Sequence, residues 1–417
     1  RGHDVCWYTG AIYRDVIEAT GATHLPIAKA YDFGGLSVDQ AFPELTGLTG
    51  IPMVRQAMQR VFIDCVPNML ADLQAITADH RFDAALSEPL FATTRVLHEL
   101  GGPPWATLGI TMLGTYSRDT APFGPGLFPL TGVRGQIRNT IMNAVHRRIL
   151  FAPVTRRYEA VRAQVGLPRL GTTFLDSFTS PFLYLQGTVP SFEYPRSDLP
   201  PQLHFVGPLL PDHREAFTAP DWWSDLDDSR PVVLVTQGTV ATDPRQLLAP
   251  AIRALAARDV LVVATSGGPT GPVLDALGGT LPSNTRLEQF VPYDDLMPHV
   301  SALVTNGGYG TMQQALARGI PIVAAGATED KPETTARVAW SGAGIRIKAQ
   351  SPKPDQLADA VDAVLTQPGY RLRAQAIAAE MADYNAPSTS AALLEMLAST
   401  GTPVLRSTPM TARAAAR

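Results

Sequence analysis

An apolar run ending in Thr305-Asn306 is followed by three glycines within four positions, Gly307, Gly308 and Gly310. Thr311 and a helix-compatible stretch to Arg318 come next. A strand, a glycine turn and a helix start together make a place for an anion. The first backbone N–H groups of a helix lack partners within it and sit at the positive end of its dipole. Glycine lacks the Cβ that would hold a phosphate away from them. Gly319 and Pro321 end the helix, and Ile320 to Ala325 reads as another buried strand. The pattern suits a diphosphate site, although a tight turn of this kind also occurs in α/β proteins that bind nothing there. It is not a dinucleotide fingerprint. Read from Gly308, G-x-G-x-x-G needs a third glycine where the chain has Gln313.

Arg286-Leu-Glu-Gln-Phe-Val-Pro-Tyr293 lies just before this segment, and Gly326-Ala-Thr-Glu-Asp-Lys-Pro-Glu333 just after it. In that order the three stretches resemble the donor-binding signature of family 1 glycosyltransferases, and the bacterial macrolide- and flavonoid-type branch is the most similar. The signature runs aromatic-Val/Ala-Pro-Gln, then His-Gly-Gly-x-Gly/Asn-Ser-x-x-Glu-Ala-Leu-x-x-Gly-x-Pro, then Asp-Gln. The likeness is specific over about 60 residues and extends more loosely along nearly the whole chain. It implies the α/β GT-B architecture, two Rossmann-like doubly wound domains facing a cleft. It also implies an inverting transfer of sugar from a nucleoside-diphosphate sugar, UDP- or TDP-linked, to a hydroxyl of a small apolar acceptor. The nucleotide-sugar is then a co-substrate, and the resemblance calls for no cofactor and no metal.

Carried over position by position, the resemblance places Asn306 where the wider family has a histidine touching the phosphates. An amide can donate there but carries no charge; alternatively, Asn306 caps the following helix. With Gly307 in the turn, Gly308, Gly310 and Thr311 would offer N–H groups and one hydroxyl to the phosphates. Gln314 stands at the position of the glutamate that bridges the ribose hydroxyls. Gln237-Gly238-Thr239 resembles the Gly-Ser/Thr turn facing the diphosphate. Phe290 would stack on the base and Val291 present its main chain to the base edge, although a lone Phe-Val-Pro is more often core. Tyr293 replaces a glutamine that contacts the ribose. Asp330-Lys331 replaces the Asp-Gln pair that holds the transferred sugar; Lys331 donates but cannot accept, so sugar preference can differ from glucose. Alternatively, Asp330 and Glu333 merely complement a helix dipole.

Transfer also needs a base for the acceptor hydroxyl. Glu88, in Ser87-Glu88-Pro89 after a strand, aligns loosely with the aspartate that orients the catalytic histidine in part of the family. The chain opens at Arg1-Gly-His-Asp-Val, which in the family ends the first helix and enters the second strand. The expectation is therefore that a strand–loop–helix unit of roughly 25 residues, with its catalytic histidine, lies upstream of Arg1. His3 precedes the second strand and does not fill that role.

The elements that must position these groups follow from composition and period. A length of 417 residues favours two or three domains. A net charge of −4 argues against a nucleic-acid partner. Cys6 and Cys65 are too few for a disulfide framework, the histidines lack metal spacing, and a reduced cytoplasm is the expected setting. No apolar run has the length of a membrane span. Strands alternate with helices from Val5 to Ile110 and again from Val232 to Lys348, the mark of parallel, doubly wound sheets. Pro52 to Asp79 reads as one long helix, and 114–131 as an irregular Gly- and Pro-rich region that in the family covers the acceptor pocket. The expected divisions are an acceptor domain at 1–210, a linker at 211–230 and a donor domain at 231–386. A returning helix at 387–399 and a disordered tail at 400–417 complete them. Oligomeric state is not encoded in any motif. Two alternatives stay open: a GT-B relative such as a nucleotide-sugar epimerase, and a donor-binding pseudoenzyme. The replacements at Asn306, Tyr293, Gln314 and Lys331 keep the second alive, but the retained glycines and Asp330 point to a coherent subgroup more than to decay.

Overall fold

A computed structural model of the chain describes residues 2–211, 217–238 and 243–406. Its strands are β1 (Cys6–Thr9), β2 (Thr23–Pro26), β3 (Ala85–Ser87), β4 (Trp105–Gly109), β5 (Leu183–Gln186) and β6 (Leu203–Phe205). They continue as β7 (Val232–Thr236), β8 (Leu261–Thr265), β9 (Thr285–Glu288), β10 (Val300–Thr305), β11 (Ile322–Ala325) and β12 (Gly344–Ile347). By contacts the chain forms two units. One holds the residues up to Leu108, Thr140–Tyr184 and the residues from Ala392; the other holds Gly109–Asn139 and Leu185–Ala391. The proposed tail beyond residue 406 lies outside the described residues.

In the second unit a six-stranded sheet runs β12-β11-β10-β7-β8-β9, with the described pairings parallel. Alternation along β7 explains why both faces are covered. Val232 and Leu234 enter one core with Leu303, Ile322, Met312 and Ile377, whereas Val233 and Val235 enter another with Val262, Val304, Ile252 and Val361. A strand buried on both sides has to be apolar throughout, and this one is. The two cores fix the helices to either face, and so fix where the helix N-termini end up: beyond the carboxyl ends of the strands.

In the first unit β1 pairs in parallel with β2 and β3 with β4. The segment expected as one helix from Pro52 is interrupted. A helix at Gly50–Ala57 passes into a π-turn at Met58–Ile63 and restarts as Val66–Asp79. Pro67 sits in the first turn of the restarted helix; having no N–H, it cannot carry the ladder through from the preceding turn. The same device recurs where the Gly132–Val145 helix meets a π-turn at His146–Leu150 and the next helix, Ala152–Gln164, opens with Pro153.

Asp72, buried on the Val66–Asp79 helix, clips the loop after β2 to that helix. Its carboxylate accepts from the N–H groups of Ala28 (3.1 Å), Lys29 (2.8 Å) and Ala30 (3.1 Å) and from the Tyr8 hydroxyl (2.9 Å). Burial alone would raise this carboxyl, but the four donors outweigh it and hold it below the usual aspartate value. A depressed carboxyl contributes stability above the unfolded value, about 3.9, and loses it as pH falls through the folded value. Asp72→Asn should therefore cost about 1–3 kcal/mol at neutral pH and flatten the acid limb of stability below about pH 4. Urea midpoints measured from pH 7 down to pH 3 check this; equal acid slopes in both proteins would count against the clip.

Candidate functional site

Between β7 and β10 the order of the six-stranded sheet reverses, because β8 continues on one side of the pair and β11 on the other. In such sheets ligands bind in the crevice outside the carboxyl ends at this switch point. The chain leaves β7 through Gln237-Gly238 and leaves β10 through Asn306-Gly307-Gly308, so both turns flank the crevice. The side-chain amide of Asn306 donates to the Gln237 carbonyl oxygen and spans it. Thr239 lies outside the described residues.

Asn306 does not cap the next helix. That helix, Tyr309–Leu316, has Gly308 as its N-cap, without a side-chain cap bond. Its first internal bond runs from the Met312 N–H to the Gly308 oxygen at 3.1 Å. The N–H groups of Tyr309, Gly310 and Thr311 therefore precede the internal ladder, as in any helix. The expected reach to Arg318 shortens to Leu316, and Gly319 at φ +67 turns the chain. Gly307 is required twice over. Its φ is +98°, and a Cβ there would sit 2.8 Å from Thr335 Cγ2. Its carbonyl accepts from the Thr334 hydroxyl at 2.8 Å, which docks the turn onto the neighbouring Lys331–Ser341 helix. Around Gly310, by contrast, a Cβ would meet nothing within 4 Å.

Phe290 and Val291 behave oppositely. Phe290 is 66% exposed, which removes the core alternative, while Val291 is 1% exposed and packs into the sheet's core. Tyr293 reaches the carboxyl edge: its hydroxyl donates to Thr236 Oγ1 at 3.0 Å and lies 3.3 Å from Thr265 Oγ1, tying β7 to β8. Gln314 is half-buried. Its neighbour Gln313 is the one turned inward, bonded to Thr188.

At the far side of the crevice Gly326 follows β11, where an added Cβ would lie 2.2 Å from the Asn306 carbonyl oxygen. Asp330 is the N-cap of the Lys331–Ser341 helix, but its side chain makes no cap bond. It accepts instead from the Thr111 hydroxyl at 2.8 Å. Lys331 is buried and its ammonium pairs with Glu329, which has the only positive φ (57°) among the described non-glycine residues. Glu88 follows β3 in the other unit, with its carboxyl raised by burial. His3 bonds Glu395 at 2.8 Å.

Motif and period do not reveal the polar group that holds this helix. Arg337 is 2% exposed and donates to Glu333 (2.5 Å) and to Glu193 (3.3 Å), with its guanidinium 3.9 Å from the centre of the Tyr194 ring. Glu193 also accepts from the Leu113 N–H at 2.8 Å, and Glu333 from the N–H groups of Gly124 (2.9 Å) and Gly126 (2.6 Å). Burial would lower the Arg337 guanidinium, but Glu193 and Glu333 more than reverse this and raise it. Only the Glu333–Arg337 spacing of four, a helix-surface pair, could have signalled it.

Residues 253–397 match the family described as Erythromycin biosynthesis protein CIII-like, C-terminal domain. Across 95% of its length the chain is 44% identical to 4'-demethylrebeccamycin synthase of Lentzea aerocolonigenes, spanning 93% of that protein. It is 33% identical to UDP-glycosyltransferase 2 of Phaeomoniella chlamydospora over 91% of this chain and 86% of that one. Among solved structures, the glycotransferase of kitacinnamycin shares the fold with a TM-score of 0.71 at 23% identity, over 95% of this chain and 92% of that one. Glycosyltransferase VinC, solved in complex with DTDP, does so with a TM-score of 0.64 at 22% identity, over 95% and 93%. Parallel six-stranded topology, the glycine turns at its switch point and this whole-length likeness converge: the chain belongs to the family 1 glycosyltransferases of GT-B fold.

Proposed function

We propose that the carboxyl edge around β7 and β10 holds a UDP- or TDP-linked sugar, and that the enzyme transfers this sugar with inversion to a hydroxyl of a small apolar acceptor. One observation carries the proposal: two glycine-bearing turns and an uncapped helix start meet at the switch point, with an exposed aromatic ring on the same edge of the sheet. The N–H groups of Gly310 and Thr311, the Thr311 hydroxyl and the Gly238 turn would face the diphosphate. As the glycosidic bond breaks, charge grows on that leaving group, and fixed dipoles stabilise it without reorganising. Phe290 stacks on the base, the Val291 main chain meets the base edge, and Gln314 faces the ribose. Asp330 accepts from sugar hydroxyls and Lys331 donates. Tyr293, occupied with Thr236 and Thr265, stiffens the floor beneath the nucleotide. The names of the relatives and the DTDP bound to VinC support this class of donor.

The acceptor proton falls to a histidine that, by resemblance, follows the family's first strand. Three histidines of the first unit make other bonds: His24 with the Thr9 oxygen, His98 with the Pro103 oxygen and His3 with Glu395. Glu88 would orient that imidazole.

Phe290→Ala should weaken UDP or dTDP binding by about 1–3 kcal/mol, the worth of one base–aromatic stack, while leaving the melting temperature nearly unchanged because the ring is exposed. Gly310→Ala has room in the fold and improves helix propensity, yet should raise the nucleotide Kd about tenfold. Calorimetry and thermal melts on the same samples check both. Unaltered affinity in the two variants would remove the nucleotide from this edge. Lys331→Gln should change the ranking of donor sugars more than nucleotide affinity, and identical donor profiles would take Lys331 out of the sugar site.

A further inference from the structure

We infer that Thr111 is a positioning residue for the sugar-binding carboxylate, held in place by the buried Glu193–Arg337–Glu333 group. The inference rests on the assignment of Asp330 to the donor sugar. An aspartate at a helix N-cap is ordinarily fixed by its own helix, through a bond to an N–H two or three residues on. Asp330 makes no such bond. The Thr111 hydroxyl, 2.8 Å from Oδ2, is its side-chain partner among the described residues. That leaves Oδ1 to accept from a sugar hydroxyl.

Thr111 can impose a direction because it is itself held. Threonine is stiff at χ1. Its carbonyl accepts from Nε2 of the fully buried Gln186 at 2.8 Å, and two residues on the Leu113 N–H donates to Glu193. Glu193 in turn binds Arg337, seven positions along the helix that Asp330 caps. The path closes: helix, Arg337, Glu193, Leu113, Thr111, Asp330, helix. Breaking a buried charge pair leaves a charge without compensation, so slippage of the 111–113 segment against the helix is strongly opposed. Glu333, one turn nearer Asp330, clamps Gly124 and Gly126 on the same segment, and Arg346 donates to the Gly126 oxygen at 2.7 Å. The register of the segment on the helix is thereby set at two places, and the Thr111 hydroxyl arrives at Asp330 as a consequence.

The test compares Thr111→Val, Thr111→Ser and Asp330→Asn with the unaltered chain by calorimetry, using UDP-glucose against UDP and dTDP-glucose against dTDP. Thr111→Val should weaken the better-bound sugar nucleotide about tenfold while the matching free diphosphate changes less than about twofold, and Thr111→Ser should restore the sugar-dependent part. A drop shared equally by sugar nucleotide and free diphosphate would mark Thr111 as merely structural and overturn the inference. So would sugar-dependent loss in Asp330→Asn with none in Thr111→Val, an outcome that leaves Asp330 at the sugar. If Asp330→Asn also keeps the full sugar contribution, the assignment of Asp330 fails and takes the inference with it. Thermal melts establish that each variant is folded, and Thr111→Ser decides the matter if Thr111→Val is not.

Discussion

A parallel sheet covered on both faces has nowhere to receive a charged ligand except along its carboxyl edge. Every residue of β7 is buried, and its alternate side chains feed two separate cores. Helices therefore occupy both faces, and their positive ends gather at one rim. Dipoles point there whether or not a ligand is present. Where the strand order reverses, between β7 and β10, neighbouring connections diverge and the rim opens. Apolar alternation in the strands thus settles, at one remove, where a diphosphate can be stabilised.

The other side of the site depends on charges kept inside the protein. Arg337, Glu193 and Glu333 are each nearly inaccessible, and isolating any one of them in a low-dielectric interior is costly. Together they satisfy one another and four backbone N–H groups besides. Such a group contributes little net stability compared with a well-packed apolar replacement. Its value is directional: it accepts only one register between the helix at 331–341 and the irregular segment 111–126. Leucine or methionine at these positions could fill the volume but would leave the segment free to slide.

Much of this architecture was legible in the sequence. The strand expected over Ile320 to Ala325 emerges as Ile322–Ala325, because a doubly buried strand writes a continuous apolar run. β5, β6 and β9 went unread. Thr285-Arg-Leu-Glu288, for instance, is a polar stretch at the edge of the sheet, and three or four residues are too short to display a period. The π-turn at Met58–Ile63 was also missed, since apolar spacing continues through it; only Pro67 beyond it marks the restart. Within the candidate site, Asn306, Gly307, Gly308 and Gly310 were legible as one turn because they are near one another in sequence. Partners separated by 144 or 219 positions, Glu193 with Arg337 and Thr111 with Asp330, leave no local pattern to find. Phe290 shows the opposite limit, where a bare tripeptide could not say that one apolar residue faces water and the next faces the core.

The glycines of the site are unequal, and this matters for anyone wishing to redirect the enzyme. Gly126 and Gly326 have main-chain oxygens at 2.1 and 2.2 Å from where a side chain would begin, whereas Gly310 looks onto open space. Randomised libraries spanning these positions would return the first two unchanged and accept variety at the third. Tolerance in the fold is therefore concentrated at Gly310, where a side chain would narrow the space before the helix start while the scaffold stays intact.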